Sequence, residues 1–207
     1  PLTAGIPGII SKIFSKKKFI FEVRDLWPEL PREMGVIKNP LILKFMDILE
    51  STTYEYADAC IGLAPGIVEG IKKKKPSKIV SMIPNGCDFS LVRKANKSIR
   101  VSNDFNLVFS GAHGLANGLD ILIKVGKKLK EKSINDVKII LIGDGSEKNR
   151  LIEKKQINKL DNIIFKDPMK KSALFSYLKT EADFGLMVLK NVPAFYYGTS
   201  PNKFFDY

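Results

Sequence analysis

Residues 106–130, NLVFSGAHGLANGLDILIKVGKKLK, constrain the fold more than any other stretch of the chain. Leu107, Val108 and Phe109 form a short apolar run, and Leu119, Leu122, Ile123, Gly126 and Leu129 then recur at helical spacing. Between them Gly111, Gly114 and Gly118 are predicted to let the backbone turn tightly. Strand, glycine loop and amphipathic helix together read as the first βα unit of a nucleotide-binding α/β domain. Glycines at that point let backbone N–H groups approach a phosphate, and the start of the helix carries partial positive charge that favours an anion. The spacing is neither G-x-G-x-x-G nor a Walker A loop, so an ordinary tight turn accounts for it as well, and the rest of the chain must decide.

That rest alternates in the same way. Residues 5–15 have a helical apolar pattern, and FIFEV at 19–23 is a strand followed by Arg24, Asp25, Leu26, Trp27, Pro28 and Glu29, where Pro28 and Pro31 argue against regular structure. Ligands in open α/β sheets bind beyond the strand ends, so Arg24 and Asp25 are candidate site residues, with a local ion pair as the plain alternative. Pro40 suits the first position of a helix whose face is marked by Leu41, Phe45, Ile48, Leu49, Thr52 and Tyr56. A strand at 59–63, a helix from Pro65 to the lysine run 72–75, and a strand at 78–83 closed by Pro84, Asn85 and Gly86 complete half of a doubly wound sheet. Residues 88–105 are polar and basic and read as an interdomain connection. Further strands are expected at 137–142, 162–166 and 182–189, with helices at about 147–156 and 170–179. Near the end, Ser200 and Pro201 read as an N-cap and first helical residue. That helix would aim its N–H groups, with Lys203, at an anion, and Asp206 about one turn later could accept from a ribose diol.

Composition narrows the partners. The chain carries 34 Lys and Arg against 22 Asp and Glu, a net charge of +12 that suits an anionic partner. The lysine runs themselves read as solvated helix ends. Nucleic acid is disfavoured because aromatic and basic residues do not interleave on any strand. Cys60 and Cys87 lack paired spacing and read as reduced cytosolic thiols. No run of about 18 apolar residues is present to span a membrane. The absence of an initiator Met and the stop two turns after Ser200 suggest a chain cut at both ends.

VRDLWPE at 23–29, IPNGCD at 83–88, FSGAHGLANGLD at 109–120, LIGDGSE at 141–147 and GTSPNKFFDY at 198–207 resemble, in order and spacing, the family 4 retaining glycosyltransferases of GT-B fold. The branch they are most similar to adds amino sugars in bacterial surface polysaccharides, the L-fucosamine transferase type. The resemblance implies two Rossmann-like, doubly wound parallel-sheet domains facing a cleft. Residues 1–98 would be the C-terminal part of the acceptor domain, and 99–207 the donor nucleotide-sugar domain, both incomplete. It further implies a UDP-sugar donor, a lipid-linked or saccharide acceptor, a cytoplasmic enzyme peripheral on the inner membrane face, and no cofactor. The donor would be held by Gly111, His113, Gly114, Asp167, Pro168, Thr199, Ser200, Pro201, Asn202, Lys203 and Asp206. Asp206 falls on the second glutamate of the family's E-x7-E motif and Gly198 on the first. Ala112 and Asn117 stand where many relatives carry an Arg and a Lys against the diphosphate, which leaves Lys203 and the loop backbone for that role. Arg24, Asp25 and Glu29 would flank the transferred sugar. Without a D-x-D at a strand end, no metal is expected. Another GT-B enzyme such as a sugar-phosphate synthase, or a non-catalytic nucleotide-binding fragment, are the alternatives.

Overall fold

The structure, a computed structural model, describes residues 2–100 and 103–207. The chain divides into two compact units, one of residues up to Asn85 with Asn191–Pro201, the other of Gly86–Lys190 with Asn202–Tyr207. This division differs from a boundary at residue 98, and the segment 191–201 belongs with the first unit.

In the first unit, strands β1 (Ile20–Val23), β2 (Ala59–Gly62) and β3 (Val80–Met82) form a parallel sheet in the order β1-β2-β3. The helices are α1 (Gly5–Ser15), α2 (Glu29–Glu33), α3 (Pro40–Tyr56) and α4 (Pro65–Lys74). Val23, Tyr54, Cys60, Ile67 and Ile71 form its core. Helix α2 is a correction: the prolines do not prevent it, because Pro31 lies in its first turn, where the backbone N–H has no intrahelical acceptor to lose. Asn39 caps α3, its Oδ1 accepting from the Leu41 N–H at 2.9 Å, and Pro40 opens the helix as expected.

The face of α3 is also a correction. Leu41, Phe45, Ile48 and Tyr56, expected to mark the packed side, are all exposed, whereas the buried residues are Leu43, Glu50, Thr53 and Tyr54. The inner face is set by a polar network. Glu50, 1 % exposed, accepts from the Tyr54 hydroxyl at 2.6 Å and from the Trp27 N–H at 3.2 Å, and it is ion-paired with Lys74. Lys74 comes from the lysine run of α4 and also reaches Asp47 at 2.8 Å and Glu29 at 3.5 Å. One lysine of that run is therefore an internal counter-ion.

In the second unit, β4 (Phe105–Ser110), β5 (Val137–Ile142), β6 (Ile163–Lys166) and β7 (Phe184–Gly185) form a parallel sheet ordered β6-β5-β4-β7. Alternation along β4 and β5 sends Phe109, Ile139 and Leu141 to one core and Val108, Ile140 and Ile142 to another, so the central strands are covered on both faces. Each such side chain contributes about 1.5–3 kcal/mol by leaving water. The helices are α5 (Phe89–Lys94), α6 (Asp120–Glu131), α7 (Lys148–Ile157), α8 (Lys171–Glu181) and α9 (Asn202–Asp206). Helix α5 lies in the stretch read as an interdomain connection, capped by Asp88, whose Oδ1 accepts from the Ser90 N–H at 2.9 Å. Strand β7 is two residues long, shorter than the apolar run 182–189 suggested.

Candidate functional site

The glycine loop leaves the C-terminal end of β4. Gly111 donates to the Ile142 carbonyl at 3.0 Å, and His113 donates to the Asp144 carbonyl at 2.7 Å while accepting from the Glu147 N–H at 2.9 Å. Two loops, after β4 and β5, are thereby locked together. Gly143 and Gly145 make this possible: both have positive φ, and a Cβ on Gly145 would stand 2.6 Å from the His113 carbonyl oxygen. Gly114 is different. Its φ is −103° and a Cβ there would meet nothing within 4 Å, so the tight turn expected at this position does not demand glycine.

The start of α6 does not provide the simple anion site that its position suggests. A 3-10 turn, Leu115–Asn117, intervenes, and Asp120 in the first turn of α6 already brings a carboxylate to the helix dipole. Arg150 grips Asp120 with two hydrogen bonds of 2.8 and 2.6 Å and Lys154 adds a third at 2.6 Å, which hold its carboxyl well below the usual range.

The cation at the loop is Lys203. Its ammonium donates to Asn117 Oδ1 at 2.8 Å and lies 4.1 Å above the Phe109 ring centroid. It also lies alongside Gly111, where a Cβ would be 3.4 Å from Nζ. Asn117 is itself held by donating from Nδ2 to the Ala112 carbonyl at 2.8 Å. Burial lowers the Lys203 pKa to about 8. A desolvated ammonium with one neutral acceptor and an aromatic face gains strongly from a second, anionic partner. The helix that carries it is seated by Tyr207, whose hydroxyl accepts from the Ser110 N–H at 2.8 Å. Sequence reasoning missed Tyr207 and Phe109, although both stand next to residues it singled out.

His113 is fully buried, its ring near those of Phe109 and Phe165, and neither ring nitrogen has a hydrogen-bond partner among the described residues. Burial, then Lys148, push its pKa down and hold it neutral. Asp206, 11 % exposed at its side chain, is paired with Lys171 at 3.0 Å. The Cys87 thiol, raised by burial and then by this carboxylate, lies beside it. Asp167 is almost fully exposed, 2.9 Å from Lys148, and Pro168 follows it at the end of β6.

The predicted donor segment divides between the units: Thr199, Ser200 and Pro201 fall in the first, Asn202, Lys203 and Asp206 in the second. Ser200 does not cap a helix. Its Oγ accepts from the Asn85 N–H at 2.8 Å, its carbonyl accepts from the Asn85 side chain, and α9 starts only at Asn202, after Pro201.

In the first unit, Arg24 and Asp25 follow β1 and line a cavity of about 250 Å³ with Phe21, Trp27, Glu50 and Tyr54. Arg24 is 3.8 Å from Glu22. Desolvation raises the Asp25 pKa against the opposing effect of Arg24. Glu29 is turned to Lys74 rather than into this cavity's lining. Among the described residues no three His, Cys, Asp or Glu side chains are grouped to hold a metal, and no helix is long and apolar enough to cross a membrane.

The architecture is an α/β fold of GT-B type. Residues 93–189, which contain the glycine loop and its supporting strands, match the family Glycosyl transferases group 1. No curated protein matches the chain. Among solved structures, HepE of Anabaena, in complex with UDP and glucose, is 14 % identical with a TM-score of 0.64, over 91 % of this chain and 51 % of that one. Trehalose-6-phosphate synthase OtsA is 11 % identical with a TM-score of 0.67, over 85 % and 47 %. A variant of S. aureus TarM, in complex with fondaparinux, alpha-GlcNAc-glycerol and UDP, is 16 % identical with a TM-score of 0.58, over 82 % and 34 %. The chain spans about a third to a half of the length of these structures.

Proposed function

We propose that this chain is the nucleotide-sugar-binding part of a glycosyltransferase that moves an amino sugar or N-acetylhexosamine from UDP to a lipid-linked or saccharide acceptor in bacterial surface-polysaccharide assembly. The observation that carries the reading is the Lys203 ammonium, desolvated and pinned by Asn117 and Phe109 beside the Gly111 backbone. Breaking the bond from the anomeric carbon to the diphosphate leaves the electron pair on a phosphate oxygen. A fixed cation and N–H groups stabilise that charge without a metal or cofactor. Asp206 would hold the ribose by releasing Lys171, and the loop at Asp167 and Pro168 would lie against the base. Arg24 and Asp25, at their cavity, are proposed for the sugar and acceptor. Retention of configuration, membership of family 4, the fucosamine-transferase type and a cytoplasmic, membrane-peripheral setting rest on the sequence resemblance.

Calorimetric titration with UDP, GDP and a control mononucleotide tests the reading. It predicts saturable UDP binding that survives moderate salt and weakens in Asp206→Asn. Binding that ignores nucleotide identity and collapses with salt would instead favour a general polyanion surface. The alternative of a sugar-phosphate synthase is supported by the likeness in fold to OtsA. Sugar phosphate as the preferred acceptor in a transfer assay would favour it.

A further inference from the structure

The edge of the second sheet that carries the glycine loop and Lys203 suits a diphosphate, yet the same edge also carries a carboxylate. Asp167 stands directly after β6, and Lys148, the first residue of α7, donates to its Oδ1 at 2.9 Å. A carboxylate repels phosphate, so its use at this place lies with a part of the ligand that offers a hydrogen-bond donor.

The pair is held by the loops that carry it. Gly143 donates to the Lys166 carbonyl at 3.1 Å, which ties the loop after β5 to the end of β6, and the Lys148 N–H donates to the Gly145 carbonyl at 3.0 Å. The Lys148 side chain is only 15 % exposed, so its stem is packed and its head has little freedom. Its ammonium also lies close enough to the His113 imidazole of the glycine loop to add to the effect of burial on that ring. In the order β6-β5-β4, the end of β6 is two strands from the glycine loop, about 9–10 Å at the usual strand spacing and on the scale of a nucleoside. Lys171, which opens α8 after the same β6 loop, holds the proposed ribose acceptor Asp206 at 3.0 Å.

An ammonium beside a carboxylate is a donor beside an acceptor, and neither is exhausted by the other: the ammonium keeps two N–H groups and the carboxylate keeps lone pairs. The complementary edge is a ring carbonyl next to a ring N–H. Uracil has it, with O4 to meet Lys148 and N3–H to meet Asp167. Cytosine sets an amino group against the ammonium and the N3 lone pair against the carboxylate. Turned over, it still opposes that lone pair to the carboxylate. We propose that Lys148 and Asp167 read the Watson–Crick edge of the donor's base and select uracil over cytosine. This rests on the donor-site reading above and deepens it, from a loop lying against the base to the two side chains that choose the base.

The test is calorimetric titration of the full chain with UDP, CDP and 3-methyluridine diphosphate, which keeps both carbonyls and lacks the N3–H. CDP and the methylated nucleotide should each bind about tenfold or more weaker than UDP, because each leaves the carboxylate without its donor. Lys148→Met and Asp167→Ala should each weaken UDP about tenfold while changing CDP by less than about threefold, so the UDP-to-CDP ratio collapses. Both variants should fold, since an ion pair with an exposed partner contributes little to stability. A role confined to structure would lower both nucleotides alike and leave the ratio unchanged, and that result would overturn the proposal. So would wild-type binding of CDP or of the methylated nucleotide within about threefold of UDP. If UDP and CDP bind equally and both weaken in Lys203→Met, base selection falls and the donor site stands. If no nucleotide binds, both fall.

Discussion

Replacing Lys203 with Met tests the site's electrostatics while keeping most of the stem that lies on Phe109. The wild-type ammonium has a single neutral acceptor, Asn117 at 2.8 Å, and sits at 4.1 Å from the ring centroid. A diphosphate oxygen arriving there would form a charge-assisted hydrogen bond worth about 1.5–3 kcal/mol, so Lys203→Met should weaken UDP roughly 10- to 150-fold. The pH dependence follows from the pKa of about 8. Below pH 8 the site is mainly charged and ready for an anion; above it the ammonium is lost. Binding must then restore the proton, so UDP affinity of the wild type should fall about tenfold between pH 7 and pH 9 with proton uptake, and that of the variant should not. Calorimetry in two buffers of different ionisation enthalpy reads both quantities. Thermal stability should not fall in the variant, because a desolvated charge has been removed. A Lys203→Met protein that binds UDP within threefold of wild type, or an unchanged pH profile, would refute the reasoning.

Three further substitutions probe the framework. Tyr207→Phe removes the acceptor for the Ser110 N–H and should destabilise the seating of α9 by about 1 kcal/mol, read by hydrogen exchange at Ser110 and by weaker UDP binding. Gly145→Ala places a methyl 2.6 Å from the His113 carbonyl oxygen at a positive φ; about 2 kcal/mol or more of stability should be lost in denaturant titration, whereas Gly114→Ala should be nearly neutral. Lys74→Met leaves Glu50 buried without its counter-ion and should cost about 3–5 kcal/mol, with a loss smaller at acid pH, where the carboxyl can be protonated.

What was legible in the sequence is what local pattern controls. The apolar runs of β4 and β5 announce themselves because both faces of those strands are covered, and Pro40 opens α3 because proline suits a helix start. The candidate cation Lys203 was legible too, from its place after Ser200 and Pro201. Its mooring to Asn117, 86 residues away in the chain, was not, because nothing local encodes that contact. The same holds for Lys74, which looks like its neighbours in the run 72–75 but reaches Glu50 on another helix. Ser200 was misread because its hydroxyl has a competing partner, the Asn85 N–H, that lies 115 positions earlier. The α3 stripe misled for a different reason. Periodicity identifies an apolar face but not what covers it.

The most direct test of the central claim is a ¹H–¹⁵N NMR titration of the chain with UDP. The account predicts shifts concentrated at Gly111–Gly118, Gly143–Gly145 and the residues around Lys203, with the Lys203→Met variant losing them at the same concentrations. Shifts absent throughout, or confined to residues away from the glycine loop, would contradict the assignment of the donor site.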